Sequence, residues 1–353
     1  MSAMKLFVTG GAGFIGSNFI RHILGLGQKY AVVNYDKLTY AGNLANLAAI
    51  AGNPNYRFVK GDICDPAAVE AAMAGCDAIV HFAAESHVDR SIYEPAQVIE
   101  TNVTGTFILL QVARKLQIVR SLHVSTDEVY GDMAPGAFAD ENAPLQPSSP
   151  YSASKAASDL LVRSYARTYG FPCIITRASN NYGPFQFPEK FLPLMITNAL
   201  DGEPLPIYGD GKQQRNWLHV EDHCRAIVTV LDRGRIGEVY NIGGPDIEEN
   251  LAMAQRLLRV MGKPESLLSH VKDRPGHDRR YALDCRKIEA ELGWKAVVSL
   301  DAGLRQTIDW YRKNSEWLAG VRGGEYLSYY AKYYENRDSS LHTLGLAGPK
   351  LPR

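Results

Sequence analysis

The sequence has no excess of charge of either sign. Its 353 residues carry 38 Lys plus Arg against 38 Asp plus Glu, which removes the basic surplus that holds a protein on nucleic acid or on an anionic membrane. Neither nucleic acid nor a membrane is expected as a partner. Cysteine is scarce and scattered. Cys64, Cys76, Cys173, Cys224 and Cys285 are odd in number and never spaced as CxxC. That argues against a disulfide framework or a zinc ribbon and favours a reducing cytoplasm. No apolar run is long enough to cross a bilayer, and no apolar signal core precedes the first strand. HExxH and GxSxG are both missing, so neither a zinc protease nor a serine hydrolase gains support. His219 and His223 lie four apart without an obvious third ligand; both are read as structural, and no metal is expected. GDGK at 209–212 has Pro206 where a P-loop needs its first glycine.

What is present is a large globular enzyme's composition, with 46% apolar residues. Short β-branched runs (KLFVTG, YAVVNYD, YRFVKGD, DAIVHFAA, SLHVST, PCIITRAS) alternate with helical patterns. One helical stretch is long, near 92–116. Such alternation predicts an α/β fold of Rossmann type, a doubly wound parallel sheet. After about Asn180, Pro and Gly become frequent, as in NYGPFQFPEKFLP and DGEPLPIYGDGKQQR, which predicts a smaller C-terminal lobe with exposed loops. WLHVEDHCRAIVTVLD and GEVYNIGG read as a helix and strand returning to the first domain. The expected division is therefore interleaved. Residues 1–180 and 217–244 form the nucleotide-binding domain, 181–216 and 245–330 the substrate lobe, and 331–353 a terminal tail.

Three clusters carry chemistry. TGGAGFIG places Gly11, Gly13 and Gly16 in GxGxxG, overlapped by Gly10, between the first strand and first helix. Glycines there let the backbone turn tightly and approach a pyrophosphate on the helix N-terminus. Asp36 ends the second strand, where a carboxylate accepts hydrogen bonds from a ribose diol and repels a 2′-phosphate. NAD is favoured over NADP, although Lys37 next door offsets part of that charge. Asp62 is placed either at the adenine edge or as a helix cap. In SPYSASKAA, Tyr151 and Lys155 share a helix face, so that the ammonium sits near the phenol and lowers its pKa. In SLHVSTDEVYG, Thr126, Asp127 and Glu128 follow a strand's carboxyl end, where open α/β sheets bind ligands. Two adjacent carboxyls repel one another, which keeps one protonated as a general acid while the other serves as a base.

TGGAGFIG, Asp36, HFAAESHVDRS, STDEVYG and YSASK together resemble the extended short-chain dehydrogenase/reductases. Thr-Asp-Glu, with RNWLHVEDH and DRPGHDRRYALD, is similar within that group to the nucleotide-sugar 4,6-dehydratases that act on dTDP-glucose. The likeness spans roughly the first 310 residues. It implies catalysis by Thr126, Asp127, Glu128, Tyr151 and Lys155. It also implies an NAD groove lined by Gly10, Gly11, Gly13, Phe14, Ile15 and Gly16, then by Asp36, Lys37, Thr39, Asp62 and Ile63. Phe82, Ala83, Ala84, Thr101, Ser125, Tyr151, Lys155 and Asn180 would complete it. The sugar nucleotide would meet Ser86, His87 and Arg90, then Thr126, Asp127, Glu128, Asn181 and Lys190. Pro206, Tyr208, Arg215, Asn250, Arg274 and His277 would close that site, with Arg215 on the diphosphate. His87 is as compatible with a structural hydrogen bond as with substrate contact.

The implied reaction is an intramolecular redox dehydration of dTDP-glucose. Tyr151 takes the 4-OH proton, Glu128 the C5 proton, and Asp127 protonates the departing 6-OH. The product is a 4-keto-6-deoxy sugar of the kind used to make rhamnose. An NAD-dependent epimerase or decarboxylase of the same fold, a 4,6-dehydratase for another nucleotide sugar, and a non-catalytic NAD-binding regulator remain as alternatives. By the same resemblance the chain is expected to be a homodimer, through the 92–116 helix and the Tyr151 helix.

Overall fold

Strands rich in Val, Ile and Tyr and buried along nearly their whole length can only sit in a sheet covered on both faces. In the computed structural model, which describes residues 3–323, six such strands and a less buried edge strand, Tyr56–Lys60, form one parallel sheet. The first half runs β1 (Met4–Thr9), α1 (Phe14–Gly25), β2 (Tyr30–Asp36), β3 (Tyr56–Lys60), α2 (Pro66–Met73) and β4 (Ala78–His81). Next come α3 (Val88–Tyr93), α4 (Pro95–Ile99), α5 (Thr106–Lys115), β5 (Arg120–Thr126), α6 (Pro150–Tyr169), β6 (Cys173–Ala178) and β7 (Asn180–Tyr182). The rest is α7 (Phe191–Asp201), β8 (Leu205–Tyr208), β9 (Gln214–His219), α8 (Val220–Arg233), β10 (Val239–Ile242), β11 (Asp246–Glu249), α9 (Asn250–Met261), β12 (Leu268–Val271), α10 (Arg286–Leu292), α11 (Leu300–Lys313) and α12 (Ser315–Val321).

The large sheet is ordered β10-β6-β5-β4-β1-β2-β3. The order reverses between β1 and β4, so the loops leaving their carboxyl ends diverge and open a crevice. One face is packed by α1 and α8 through Phe19, Ile20, Ile23, Ile227 and Val230. The other is covered by α2, α5 and α6. A third core, with Leu194, Met195, Leu257, Leu258, Leu304 and Trp217, holds α7, α9 and α11 around the smaller sheets β11-β9-β7 and β12-β8.

Two expectations are corrected. The helix expected over 92–116 is broken. Pro95 cannot donate a backbone N–H, Glu94 leaves the helical region, and residues Glu100–Gly105 form a π-turn before α5. Within that turn Asn102 points inward, bonding the backbone of Glu85 and the hydroxyl of Ser154. The return to the large sheet also begins later than Trp217, because β9 pairs with β7 and β11 in the small sheet. The returning elements are α8 and β10. The tail expected over 331–353 lies outside the described residues, as does the substrate lobe's expected end beyond 323.

Beneath α6 lies a dry polar network. Arg177, fully buried on β6, donates from Nε to Asp159 at 2.8 Å and from Nη1 to the Tyr130 hydroxyl at 2.8 Å. Tyr130 donates in turn to Asn241 on β10 at 2.8 Å. Burial works to raise the Asp159 carboxyl, but His123 and Arg177 hold it below its ordinary value. Asp159→Ala leaves the guanidinium uncompensated and is expected to cost about 3–5 kcal/mol of stability. Urea denaturation checks this, and a loss below about 1 kcal/mol would mean the pair is dispensable.

Candidate active site

Strand β5 ends in Thr126, whose hydroxyl accepts from the Glu128 backbone N–H at 3.3 Å and so caps the short turn Asp127–Tyr130. That cap presents both carboxyls at the sheet's carboxyl edge. Thr126 Oγ1 also donates to Asp127 Oδ1 at 3.2 Å, while Asp127 Oδ2 is buried with no partner. Asp127 is 3% exposed. Burial first, and the Glu128 charge second, push its carboxyl up to about 8. Glu128 is half-buried and is also raised by burial, but Arg274, Lys190 and Arg215 oppose the rise. Burial raises both acids, but Asp127 meets a like charge where Glu128 meets three cations, a difference that favours Asp127 as the proton donor and Glu128 as the acceptor.

Helix α6 begins on a capping box between Ser149 and Ser152, with Pro150 in its first turn. The box places Tyr151 at the helix mouth, buried, and Lys155 one turn on. Lys155 Nζ donates to the Val124 carbonyl at 2.9 Å, and burial lowers its pKa to about 8 against the opposing charge of Asp159. The expected lowering of the phenol is not found. Burial, then Glu128, hold Tyr151 above its ordinary value, and the opposing hydrogen bond comes from Thr126. A buried phenol beside two carboxyls keeps its proton until positive charge or a proton acceptor arrives.

One cavity joins these groups to the glycine turn. Of the expected cofactor residues, all but Gly11 line it: Gly10, Gly13, Phe14, Ile15, Gly16, Asp36, Lys37, Thr39, Asp62, Ile63, Phe82, Ala83, Ala84, Thr101, Ser125, Tyr151, Lys155 and Asn180. Gly11 instead packs on Asn34 and Ile20. Gly10 has φ +69°, and a Cβ on Gly16 would stand 2.3 Å from the Gly10 carbonyl oxygen, so both positions require glycine. The α1 N-terminus carries no side-chain cap, which leaves its N–H groups for an anion. Asp36 accepts from the backbone N–H of Ala12 and Leu38, and Lys37 is held 2.6 Å from Asp62. Lys37 is thus engaged elsewhere, and the Asp36 charge keeps its bias against a 2′-phosphate. Ser125 Oγ, Asp127 Oδ2, Ser179 Oγ and Asn180 Oδ1 are buried without partners on the cavity wall. Such a row of unpaired donors and acceptors fits a polar dinucleotide and its substrate.

Of the expected substrate residues, Ser86, Thr126, Asp127, Glu128, Asn181 and Lys190 line the same cavity. The others stand outside its wall. Arg274 donates to Asp89 at 3.0 Å, as does Tyr208 at 2.9 Å. Arg215 donates to the carbonyls of Gln214 and Asp278 and lies over the Tyr281 ring. His277 bonds Asp273, Asn250 opens α9, and Pro206 is buried in β8. Arg274 and Arg215 still act on Glu128 through their charge. His87 accepts from the Arg90 N–H and meets the Glu189 carbonyl. Arg90 is turned onto Tyr40 and Glu189.

Wall residues missed in the sequence include Glu85, Gln186, Phe187, Glu189 and His223. His223 Nδ1 donates to Asn181 Oδ1 at 2.9 Å, an orientation fixed because the Asn181 amide donates to the Ser179 carbonyl. Its spacing from His219 was a signal, but of the wrong kind. Among the described residues no group of three His, Cys, Asp or Glu side chains is placed to hold a metal.

A doubly wound parallel sheet whose crevice joins a glycine turn to a Thr-Asp-Glu turn and a Tyr/Lys helix defines an extended short-chain dehydrogenase/reductase. The family model described as GDP-mannose 4,6 dehydratase matches residues 7–307. A dTDP-glucose 4,6-dehydratase from Shigella flexneri is 50% identical over 95% of this chain and 100% of its own length. The crystal structure of a dTDP-glucose 4,6-dehydratase from Streptomyces venezuelae, with NAD and dTDP bound, superposes with a TM-score of 0.88. It is 51% identical and covers 90% of this chain and 100% of that one. A UDP-glucose 4-epimerase from Thermotoga maritima, with UDP-glucose, shares the fold at a TM-score of 0.82 and 30% identity, over 88% and 100% of the two chains. The chain belongs to the dTDP-glucose 4,6-dehydratase family.

The Asp127 carboxyl has a linked effect on stability. Its ordinary value is 3.8 and its folded value about 8, so over that window the folded state holds a proton that the unfolded state has released. Stability from this group is present in acid and is lost as pH rises towards 8, by at most about 1.4 kcal/mol per pH unit. Asp127→Asn removes the slope. Urea denaturation of both proteins at several pH values between 5 and 8 tests this, and parallel curves would refute it.

Proposed function

We propose that this chain converts dTDP-glucose to dTDP-4-keto-6-deoxyglucose and water, with NAD as resident cofactor, in the making of activated deoxysugars such as rhamnose. The observation that carries the reading is the Asp127–Glu128 pair, split in acidity and set beside Tyr151 in the cavity that begins at the glycine turn. An epimerase needs only to remove and return a hydride at C4. Elimination across C5 and C6 needs in addition a base for one carbon and an acid for the leaving oxygen.

In this assignment the first lobe binds the cofactor and the second the sugar nucleotide. Gly10, Gly13 and Gly16 and the α1 N-terminus take the pyrophosphate, and Asp36 takes the adenosine ribose. Bound NAD supplies the reversible hydride acceptor, so no external oxidant is consumed. Tyr151, as the phenolate that the positive charges of bound NAD and Lys155 would favour, receives the proton of the 4-OH. The resulting ketone acidifies C5–H. Glu128, the more readily ionised acid because Arg274, Lys190 and Arg215 face it, takes that proton. Asp127 gives its proton to the 6-OH, which leaves as water, and Glu128 returns its proton to C5 as C6 recovers the hydride taken from C4, which completes the 4-keto-6-deoxy sugar. Lys190 and Asn181 on the cavity wall would meet the sugar nucleotide, with the positive charges of Arg215 and Arg274 behind the wall favouring its diphosphate.

Two further readings belong here. Leu160 on α6 and Phe107 on α5 are 55% and 39% exposed, which supports a homodimer built on those helices. The five cysteines are all unpaired, and no described helix is long and apolar enough to cross a membrane. Both fit a cytoplasmic enzyme.

Incubation of the purified protein with dTDP-glucose, followed by mass spectrometry, should show a product lighter by one water. An isomer of unchanged mass would show an epimerase instead. Glu128→Gln and Asp127→Asn should each lower product formation by about 10²–10⁴-fold. Reduced cofactor should still form on substrate addition in both, and fail to form in Tyr151→Phe. Equal loss in all three, by absorbance of the reduced nicotinamide, would contradict the assignment of roles. Turnover should fall on the alkaline side as Asp127 loses its proton, with an apparent limb near 8.

A further inference from the structure

Three segments on the wall of the cavity meet through side chains that the dehydration chemistry does not use. After β2, Thr39 and Ala41 line the cavity while Tyr40 between them packs its ring on Arg90 and Phe187. The segment 183–190 lines it with Phe187 and Glu189. The third segment is α3, entered from Glu85 and Ser86, and it carries Arg90. Arg90 joins all three. Its guanidinium carbon lies 3.7 Å from the Tyr40 ring centroid, and its Nε is 3.1 Å from Glu189 Oε2. The Tyr40 ring meets Phe187 edge-on, with centroids 5.6 Å apart. Segment 183–190 is also held from behind, since Phe185, at φ +69°, packs its ring 4.6 Å from Trp310 of α11.

We propose that Arg90, Tyr40, Phe187 and Glu189 form a latch across the groove that retains the bound cofactor, with Arg90 as its positioning residue. Glu189 is 1% exposed at its side chain and Arg90 21%, so opening the latch strands a desolvated carboxylate and uncovers an aromatic contact. A planar guanidinium satisfies both partners at once, stacking on the ring while its edge faces the carboxylate; an ammonium cannot. The inference rests on the proposed function, in which the cofactor is regenerated in every cycle and nothing in the chemistry requires its release. The latch gives that economy a structural cause, because the dinucleotide leaves only when three separate segments part.

The test is the dissociation rate of NAD from the full-length protein, followed by exchange against excess labelled NAD, with the NAD content after dialysis as second readout. Tyr40→Ala and Arg90→Met should each release NAD about tenfold faster or more. Tyr40→Phe, which keeps the ring on Arg90 and loses the hydroxyl's bond to Glu189, should release it faster than the natural protein and more slowly than Tyr40→Ala. If Arg90→Met does not fold, Arg90→Lys serves, since it keeps the charge and loses the planar stack; it too should release NAD faster. Unchanged dissociation in the Tyr40→Ala and arginine variants overturns the latch. So does an arginine variant that holds NAD normally and raises only the KM for the sugar nucleotide, because Arg90 is then a substrate contact. A natural protein that neither contains nor binds NAD would sink the proposed function itself, a result distinct from either.

Discussion

Desolvation is the constraint on which this site depends. Five groups that would be ordinary in water are packed at one sheet edge, and taking them from water moves every one whose charge is at issue. Burial is the largest influence on Asp127, Glu128, Tyr151 and Lys155 alike. What separates them is the second influence. Asp127 meets the negative charge of its neighbour, Glu128 meets three cations, and Lys155 meets Asp159. Chemistry follows from those differences, since a like charge favours the protonated form of Asp127 and three cations favour the ionised form of Glu128.

The parallel sheet makes this concentration possible. β1, β2, β5 and β6 end on the same edge, so the glycine turn, Asp36, the Thr-Asp-Glu turn and Asn180 face one crevice although residues 10 to 180 of chain separate them. The small lobe then brings Arg215 and Arg274 towards the side of Glu128 that the sheet leaves open. Its contribution is charge as much as contact, because neither arginine lines the cavity wall. The same edge explains why an epimerase fold can host a dehydratase, since two carboxyls on one strand-end turn change the reaction without moving a strand.

Much of this was legible because it is local. A glycine turn, a strand-terminal acid, a capped YxxxK helix and a Thr-Asp-Glu turn are each written in fewer than ten consecutive residues, and their backbone demands are met within those residues. The strand alternation gave the sheet for the same reason. What could not be read depends on partners far along the chain. Lys37 was read as offsetting the charge of Asp36 next door, and only the fold pairs it with Asp62. Arg90 resembled a substrate contact, yet its carboxylate comes from Glu189, 99 residues away. Pro95 was visible in the helical stretch, but the π-turn follows from Asn102 reaching Glu85 and Ser154. The Tyr/Lys pair was a third case, in which shared spacing brought the residues to one face while burial and Glu128 decided the phenol's proton.

The network beneath α6 has a consequence for how the protein is made. Asp159, Arg177 and Tyr130 are complete only when Asn241 arrives on β10, the outermost strand of the sheet beside β6. Every residue that touches the reaction and sits on the first lobe has left the ribosome well before then. Until residue 241 emerges, the floor under the catalytic helix holds a tyrosine and an arginine whose hydrogen-bond chain stops short. A nascent chain paused between α6 and β10 therefore carries every catalytic residue and lacks the support that makes a site of them.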